Sequence, residues 1–160
     1  MTRQGKMIIS RGLLGACALL SAGTARADGT SPFIGTWHWD AAQSKLPSGE
    51  SAPSDMTAMF SRVDAKHVRW SVTISNARGQ STVESYDTPA NGEFYPISAD
   101  TTASFRLNGE DLDGVFKGPN GASDTLRCSL SPDARKMTCA GTMIDPGGKT
   151  ENYVDVYERR

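Results

Sequence analysis

The chain has 160 residues, 38% of them hydrophobic and 22% charged, with 17 Lys and Arg against 18 Asp and Glu. That length allows one domain with its own core. The balanced charge and the lack of any basic run past the N-terminal segment exclude a phosphate-tracking, nucleic-acid-binding role.

The N-terminal segment has the layout of an export signal. Arg3, Lys6 and Arg11 form a basic region, Gly12 to Gly23 an apolar run too short to span a bilayer, and Ala25-Arg26-Ala27 a small-x-small cleavage site. Residues 1–27 are therefore expected to be a cleaved signal peptide and residues 28–160 a single domain, periplasmic or secreted. Leu14-Gly15-Ala16-Cys17 is a competing lipoprotein box that would lipidate Cys17. The apolar run continues past Cys17 and Arg11 interrupts the stretch before it, so cleavage after Ala27 is preferred. Removing the leader takes four basic residues and no acidic one, leaving a net charge of −5. No later segment has the length or apolarity of a membrane helix.

Phe33-Ile34-Gly35-Thr36-Trp37-His38-Trp39-Asp40 opens the folded part. Phe33, Gly35, Trp37 and Trp39 share one face and Ile34, Thr36, His38 and Asp40 the other, the alternation of a strand with one buried side. Gly35 leaves a gap beside Trp37 that a neighbouring side chain can fill. From Ala41 to Asp55 the composition shifts to Ser, Pro, Gly and Ala, predicting a long loop. Leu46 is its one large apolar residue, placed to tuck over a barrel mouth or to ride on a mobile connection.

Met56, Ala58 and Phe60 alternate in the next strand, and Val68, Trp70, Val72 and Ile74 in the clearest one. Asn76-Ala77-Arg78-Gly79 turns the chain into a strand from Gln80 to Asp87. Pro96 confines the short segment after Asn91-Gly92 to an edge or a bend. Thr101 to Leu107 and Leu112 to Lys117 form a hairpin around Asn108-Gly109-Glu110-Asp111, and Gly118-Pro119-Asn120-Gly121 turns again.

The next hairpin carries a register. With a loop of Pro132 to Arg135, Ser131 opposes Lys136, Leu130 opposes Met137, Cys128 opposes Cys139 and Leu126 opposes Gly141. Directly opposed cysteines on an apolar face lie within disulfide reach, and in an exported protein a bridge is the default. No Cys-x-x-Cys is present to suggest a redox site instead.

The last strand, Asn152 to Arg159, puts Val154 and Val156 on one face and Tyr153, Asp155 and Tyr157 on the other. If it closes on the first strand it brings Arg159 or Arg160 to Trp37, where a guanidinium stacks on indole. A frayed terminus is the alternative. Repeated short strands broken by Gly, Asn and Pro, with no helical period, predict an all-β fold: an antiparallel up-and-down meander closed into a lipocalin-like β-barrel of about 8–10 strands.

Gly35-Thr36-Trp37, Ser44-Lys45, Asn91-Gly92, Tyr95-Pro96, Ser131-x-Asp133 and the terminal Val156-Tyr157-Glu158-Arg159 occur in one order from Phe33 to the C-terminus. In this the chain resembles a group of small exported bacterial lipocalin-like (calycin-type) barrels of largely unknown function. The resemblance implies that Trp37 of the Gly35-x-Trp37 motif packs across the closed end of the barrel, where Arg159 from the last strand is expected to join it; it implies no activity. The group commonly has Asp-Gly where this chain has Asp133-Ala134. Alanine disfavours positive φ, which points to the longer loop adopted above.

No catalytic constellation stands out. Two separated histidines, His38 and His67, do not make a zinc site, Glu110, Asp111 and Asp113 lack calcium-loop spacing, and no Gly-x-Ser-x-Gly occurs. No catalytic residue, metal or cofactor is assigned. The leading expectation is a binding protein for a small, mostly apolar ligand, in a cavity lined by Trp39, Trp70, Val72, Phe105 and Phe116. The rival is a barrel filled by those same side chains, acting through its outer surface as an inhibitor, adaptor or envelope protein. A hydrolase or isomerase grafted on the barrel is a third, weaker option.

Overall fold

A computed structural model describes residues 31–48 and 52–160; the leader and the Ala25–Ala27 cleavage site lie outside the described residues. Ten antiparallel strands make one sheet. They are β1 (Gly35–Trp39), β2 (Asp55–Val63), β3 (His67–Ser75), β4 (Ser81–Pro89), β5 (Tyr95–Pro96), β6 (Thr102–Asn108), β7 (Asp111–Lys117), β8 (Ser123–Leu130), β9 (Lys136–Ile144) and β10 (Thr150–Arg159). The sheet order β4-β3-β2-β1-β10-β9-β8-β7-β6-β5 is a plain meander whose last strand returns to the first. Trp37 pairs with Arg159 and Trp39 with Tyr157 across that joint.

The sheet curls until its two edges meet, forming a nearly closed barrel. Asn91, just past β4, bridges Arg106 of β6, and the Gly92 N–H donates to the Phe105 carbonyl at 2.9 Å. Among the described residues, the bonds across this seam lie in its lower part. Higher up, β4 and β5 are both sheet edges, and Val83 on the outer face of β4 is 62% exposed.

Alternation sets the inner face. Trp70 opposes Tyr86, Ala58 opposes Val72, Phe105 opposes Gly114, and Phe116 opposes Asp124. A bulge between Phe60 and Arg62 shifts the register by one, so Val63 and Val68 still meet inside. The hairpin register expected from sequence is present: Cys128 opposes Cys139, Leu126 opposes Gly141, Leu130 opposes Met137, and the cysteines form a buried disulfide.

One local expectation is corrected. The β8–β9 loop does run over residues 132–135, but Ala134 sits in the left-handed region at φ 52. That conformation costs an L-residue roughly 1–2 kcal/mol. Its neighbours hold it there: the Ala134 N–H donates to the Ser131 carbonyl at 2.8 Å, and the Ala134 carbonyl accepts from Arg159 Nε at 2.8 Å. The Gly118–Gly121 turn is a single 3₁₀ turn over Pro119–Gly121. Among the described residues no helix is long and apolar enough to cross a membrane.

Candidate functional site

The two barrel ends differ in what the chain gives them. The lower end holds residues 31–34, the β2–β3, β6–β7 and β8–β9 turns and Arg159; the upper end holds the remaining hairpin turns and the long β1–β2 loop.

Arg159 plugs the lower end. Its guanidinium carbon lies 4.2 Å from the centre of the Trp37 ring, and its nitrogens donate to the carbonyls of Ile34 (2.8 Å), Ala134 (2.8 Å) and Pro32. Gly35, at φ 137, makes the room, because a Cβ there would lie 2.7 Å from Arg159 Nη1. The Trp37 indole donates to the Phe33 carbonyl at 2.8 Å, and both side chains are buried.

Above this plug the lumen is filled by aromatic packing. Trp70 lies 5.0 Å from Phe60, 5.2 Å from Phe105 and 5.5 Å from Tyr86, centre to centre, mostly edge to face. Phe116 closes the group against Phe105 at 5.6 Å and Tyr86 at 5.3 Å. The five side chains expected to line a cavity are thus divided. Phe105 and Trp70 belong to the packed core, whereas Trp39, Val72 and Phe116 are half-buried and lean on it.

The upper third changes character. A pocket of about 530 Å³ opens at the mouth, lined by Leu46, Pro53, Met56, Ile74, Arg78 and Asp155 among others. It contains none of the five expected cavity residues. Leu46 does reach over the mouth, held there because Lys45 pairs with Val154 and Ser44 Oγ accepts from the Val156 N–H at 2.9 Å. Larger depressions of about 650 Å³ and 770 Å³ lie elsewhere, one across the outer face of β7–β10 and one beside the β8–β9 turn. Neither opens on the lumen.

Polar groups also appear on the inner face at this level, each tied to an aromatic donor. Trp39 Nε1 donates to Asp155 at 2.8 Å, the Tyr153 hydroxyl to Asp124 at 2.9 Å, and the Tyr86 hydroxyl to Glu84. Burial first, then the hydrogen bond and charge of Glu84 and the charge of Asp124, push the Tyr86 phenol up. Burial, then the charge of and hydrogen bond to Asp124, then the charge of Asp155, raise Tyr153. Tyr157 is raised by burial and then by Asp155. Each phenol stays protonated and donates.

The histidines lie on the outer face and apart, His38 beside Thr57 and His67 against Asp87. Sequence reasoning missed Met56, Ile74 and Asp155 as pocket residues. The available signal was Asp155 itself, a carboxylate alternating with Tyr153 and Tyr157 on the aromatic face of β10.

The backbone is similar to that of wild-type UnaG, a fluorescent protein, with a TM-score of 0.54 and 20% identity over 80% of this chain and 97% of that one. The chain has a calycin-type fold. It is also similar to the zebrafish ileal bile acid-binding protein complexed with cholic acid (TM-score 0.50, 12% identity, 81% and 100% covered). A mutant of the REP1-NXSQ fatty acid transporter matches with a TM-score of 0.50 and 14% identity, covering 80% and 98%. No family model matches the chain, and no curated protein does. Identities this low speak to the fold and not to the ligand.

Proposed function

We propose that the protein holds a small, mostly apolar molecule in the upper third of its barrel, admitted between the β1–β2 loop and the β3–β4 turn. The observation that carries this function is the pocket of about 530 Å³ on the lumen side of Leu46, Met56 and Ile74, above a lower half already packed with side chains. Similar barrels whose names record fatty acid transport and bile acid binding support it. Apolar walls supply affinity by removing ligand surface from water, and the few polar groups fix orientation. The ligand-contacting group is Leu46, Met56, Ile74 and Asp155 at the pocket, with Trp39 and Val72 beneath; Trp70, Phe105 and Phe116 form its floor. We place the protein outside the cytoplasm, periplasmic or secreted, which the basic and apolar leader and the Cys128–Cys139 disulfide support. No catalytic step is assigned.

A barrel filled throughout and acting through its outer surface draws support from the Trp70–Phe105–Phe116 packing. Mass spectrometry of an organic extract from natively purified protein, beside a refolded control and Ile74→Trp, separates the two. A near-stoichiometric small apolar molecule present in the native sample and absent from both controls is the expected result. A native sample that is empty, and that also fails to take up any of a panel of apolar probes, sinks the carrier function in favour of the filled barrel.

A further inference from the structure

The mouth pocket has a poorly matched donor beneath its wall. Tyr157 of β10 faces into the barrel opposite Trp39 of β1, and it is 6% exposed. Its hydroxyl reaches across β1 to Met56 of β2 and donates to the thioether sulfur at 3.7 Å. A thioether is a weak acceptor, so this buried phenol has exchanged water for less than an oxygen would return. The other aromatic donors on the inner face are matched differently: Trp39, Tyr153 and Tyr86 each donate to a carboxylate. Burial and then the charge of Asp155 keep the Tyr157 phenol protonated, so its hydroxyl stays a donor.

Met56 is also part of the pocket lining, beside Leu46, Ile74 and Asp155. Its side chain is unbranched and adaptable, and turning its terminal bonds takes the sulfur off the hydroxyl without moving β2. Tyr157 then faces the pocket with its hydrogen free for a better acceptor. The pocket's ionisable groups select against a charged one. Asp155 stands on the same face of β10 two residues away, close enough for its charge to act on Tyr157, whereas Arg78 stands on the exposed β3–β4 turn. An anionic head at Tyr157 would meet the carboxylate and miss the guanidinium. An ammonium head carries no acceptor for the hydroxyl hydrogen.

We propose that the molecule held at the mouth carries a neutral carbonyl oxygen, as a ketone, ester or amide, on an apolar body, and that this oxygen takes the Tyr157 hydrogen bond from Met56. The assignment rests on the carrier function above and adds the polar group of the ligand and the side chain that reads it.

NMR titration with acetophenone, with α-methylstyrene (the same shape with a methylene in place of the oxygen) and with benzoate, each at millimolar concentration, tests it. The ratio of ketone to hydrocarbon affinity is expected to be about fivefold higher in the wild type than in Tyr157→Phe, the return on one neutral hydrogen bond. In Met56→Leu, where no sulfur competes for the hydroxyl, the ratio is expected to rise further. The infrared carbonyl stretch of bound acetophenone should lie at lower frequency in the wild type than in Tyr157→Phe, a shift that a purely structural role for the phenol would not produce. If the ratio and the stretch are the same with and without the hydroxyl, or the ratio fails to rise in Met56→Leu, the carbonyl assignment is overturned while the carrier function stands. Benzoate binding more tightly than the ketone, and weakening in Arg78→Gln, overturns it in favour of an anionic ligand held at the rim. If none of the three binds, both fall.

Discussion

Gly141 on β9 is the position where packing can be tested with least ambiguity. A Cβ built there would lie 2.2 Å from Tyr153 Cζ and 2.4 Å from both its Cε1 and its hydroxyl oxygen. The two residues are register partners, and the tyrosine ring lies across the glycine to reach Asp124. Gly141→Ala must therefore push a buried aromatic ring. Overpacking of this kind costs about 1–3 kcal/mol, and losing the hydrogen bond to a carboxylate adds about 1.5–3 kcal/mol. Relaxation overlaps the two effects, so a total of about 3 kcal/mol is expected, read by urea unfolding followed through tryptophan fluorescence. In a Tyr153→Ala background the same substitution has no ring to displace, and its cost should fall below about 0.5 kcal/mol. A cost that persists without Tyr153 would refute the steric account and assign the effect to the backbone of β9.

Arg159→Met keeps an unbranched apolar stem over Trp37 but removes every donor, so destabilisation by about 2–4 kcal/mol is expected in guanidinium titration; a change under about 1 kcal/mol would show that the lower end closes without the guanidinium. Asp113 accepts two hydrogen bonds from Arg127, at 2.6 and 3.1 Å, and that bond, ahead of the cost of burial, holds its carboxyl below the usual range. A folded-state pKa below the unfolded one adds stability that is fully present above the unfolded value and lost as pH falls through the folded one. Asp113→Asn should therefore lower stability at pH 7 by no more than about 1 kcal/mol, since the pair is partly solvated, and in unfolding measured over a pH series the difference from wild type should shrink steadily as pH falls below the usual carboxylate range.

Most of the fold was legible because alternation is a direct consequence of the pleat. Val68-x-Trp70-x-Val72-x-Ile74 can only be a strand with one apolar face, and Cys128 opposite Cys139 follows once a four-residue loop is granted. Ala134 was misjudged because propensity is a local quantity. It is held at positive φ by a bond to Ser131, three residues before it, and by one from Arg159, 25 residues after it. The pocket was less legible for a related reason. Alternation says which side chains point inward but not at what height in the barrel, and height decides whether an inward ring packs or lines a space. Phe105 and Ile74 are both inward and apolar; one meets Trp70 and Phe116, the other the open mouth.

That vertical division also bears on how stability and binding coexist in a small barrel. A lumen hollow along its whole length would give up the dispersion contacts that hold the sheet closed. Among the described residues the seam between β4 and β6 is bonded low down, at Asn91 and Gly92, which is also the level of Phe105 and its aromatic neighbours. The packed half and the closed half coincide, so the cost of leaving the upper third open falls where the strands are least bonded. Glu84, on the inner face of β4 yet exposed, stands beside that unbonded stretch of the seam.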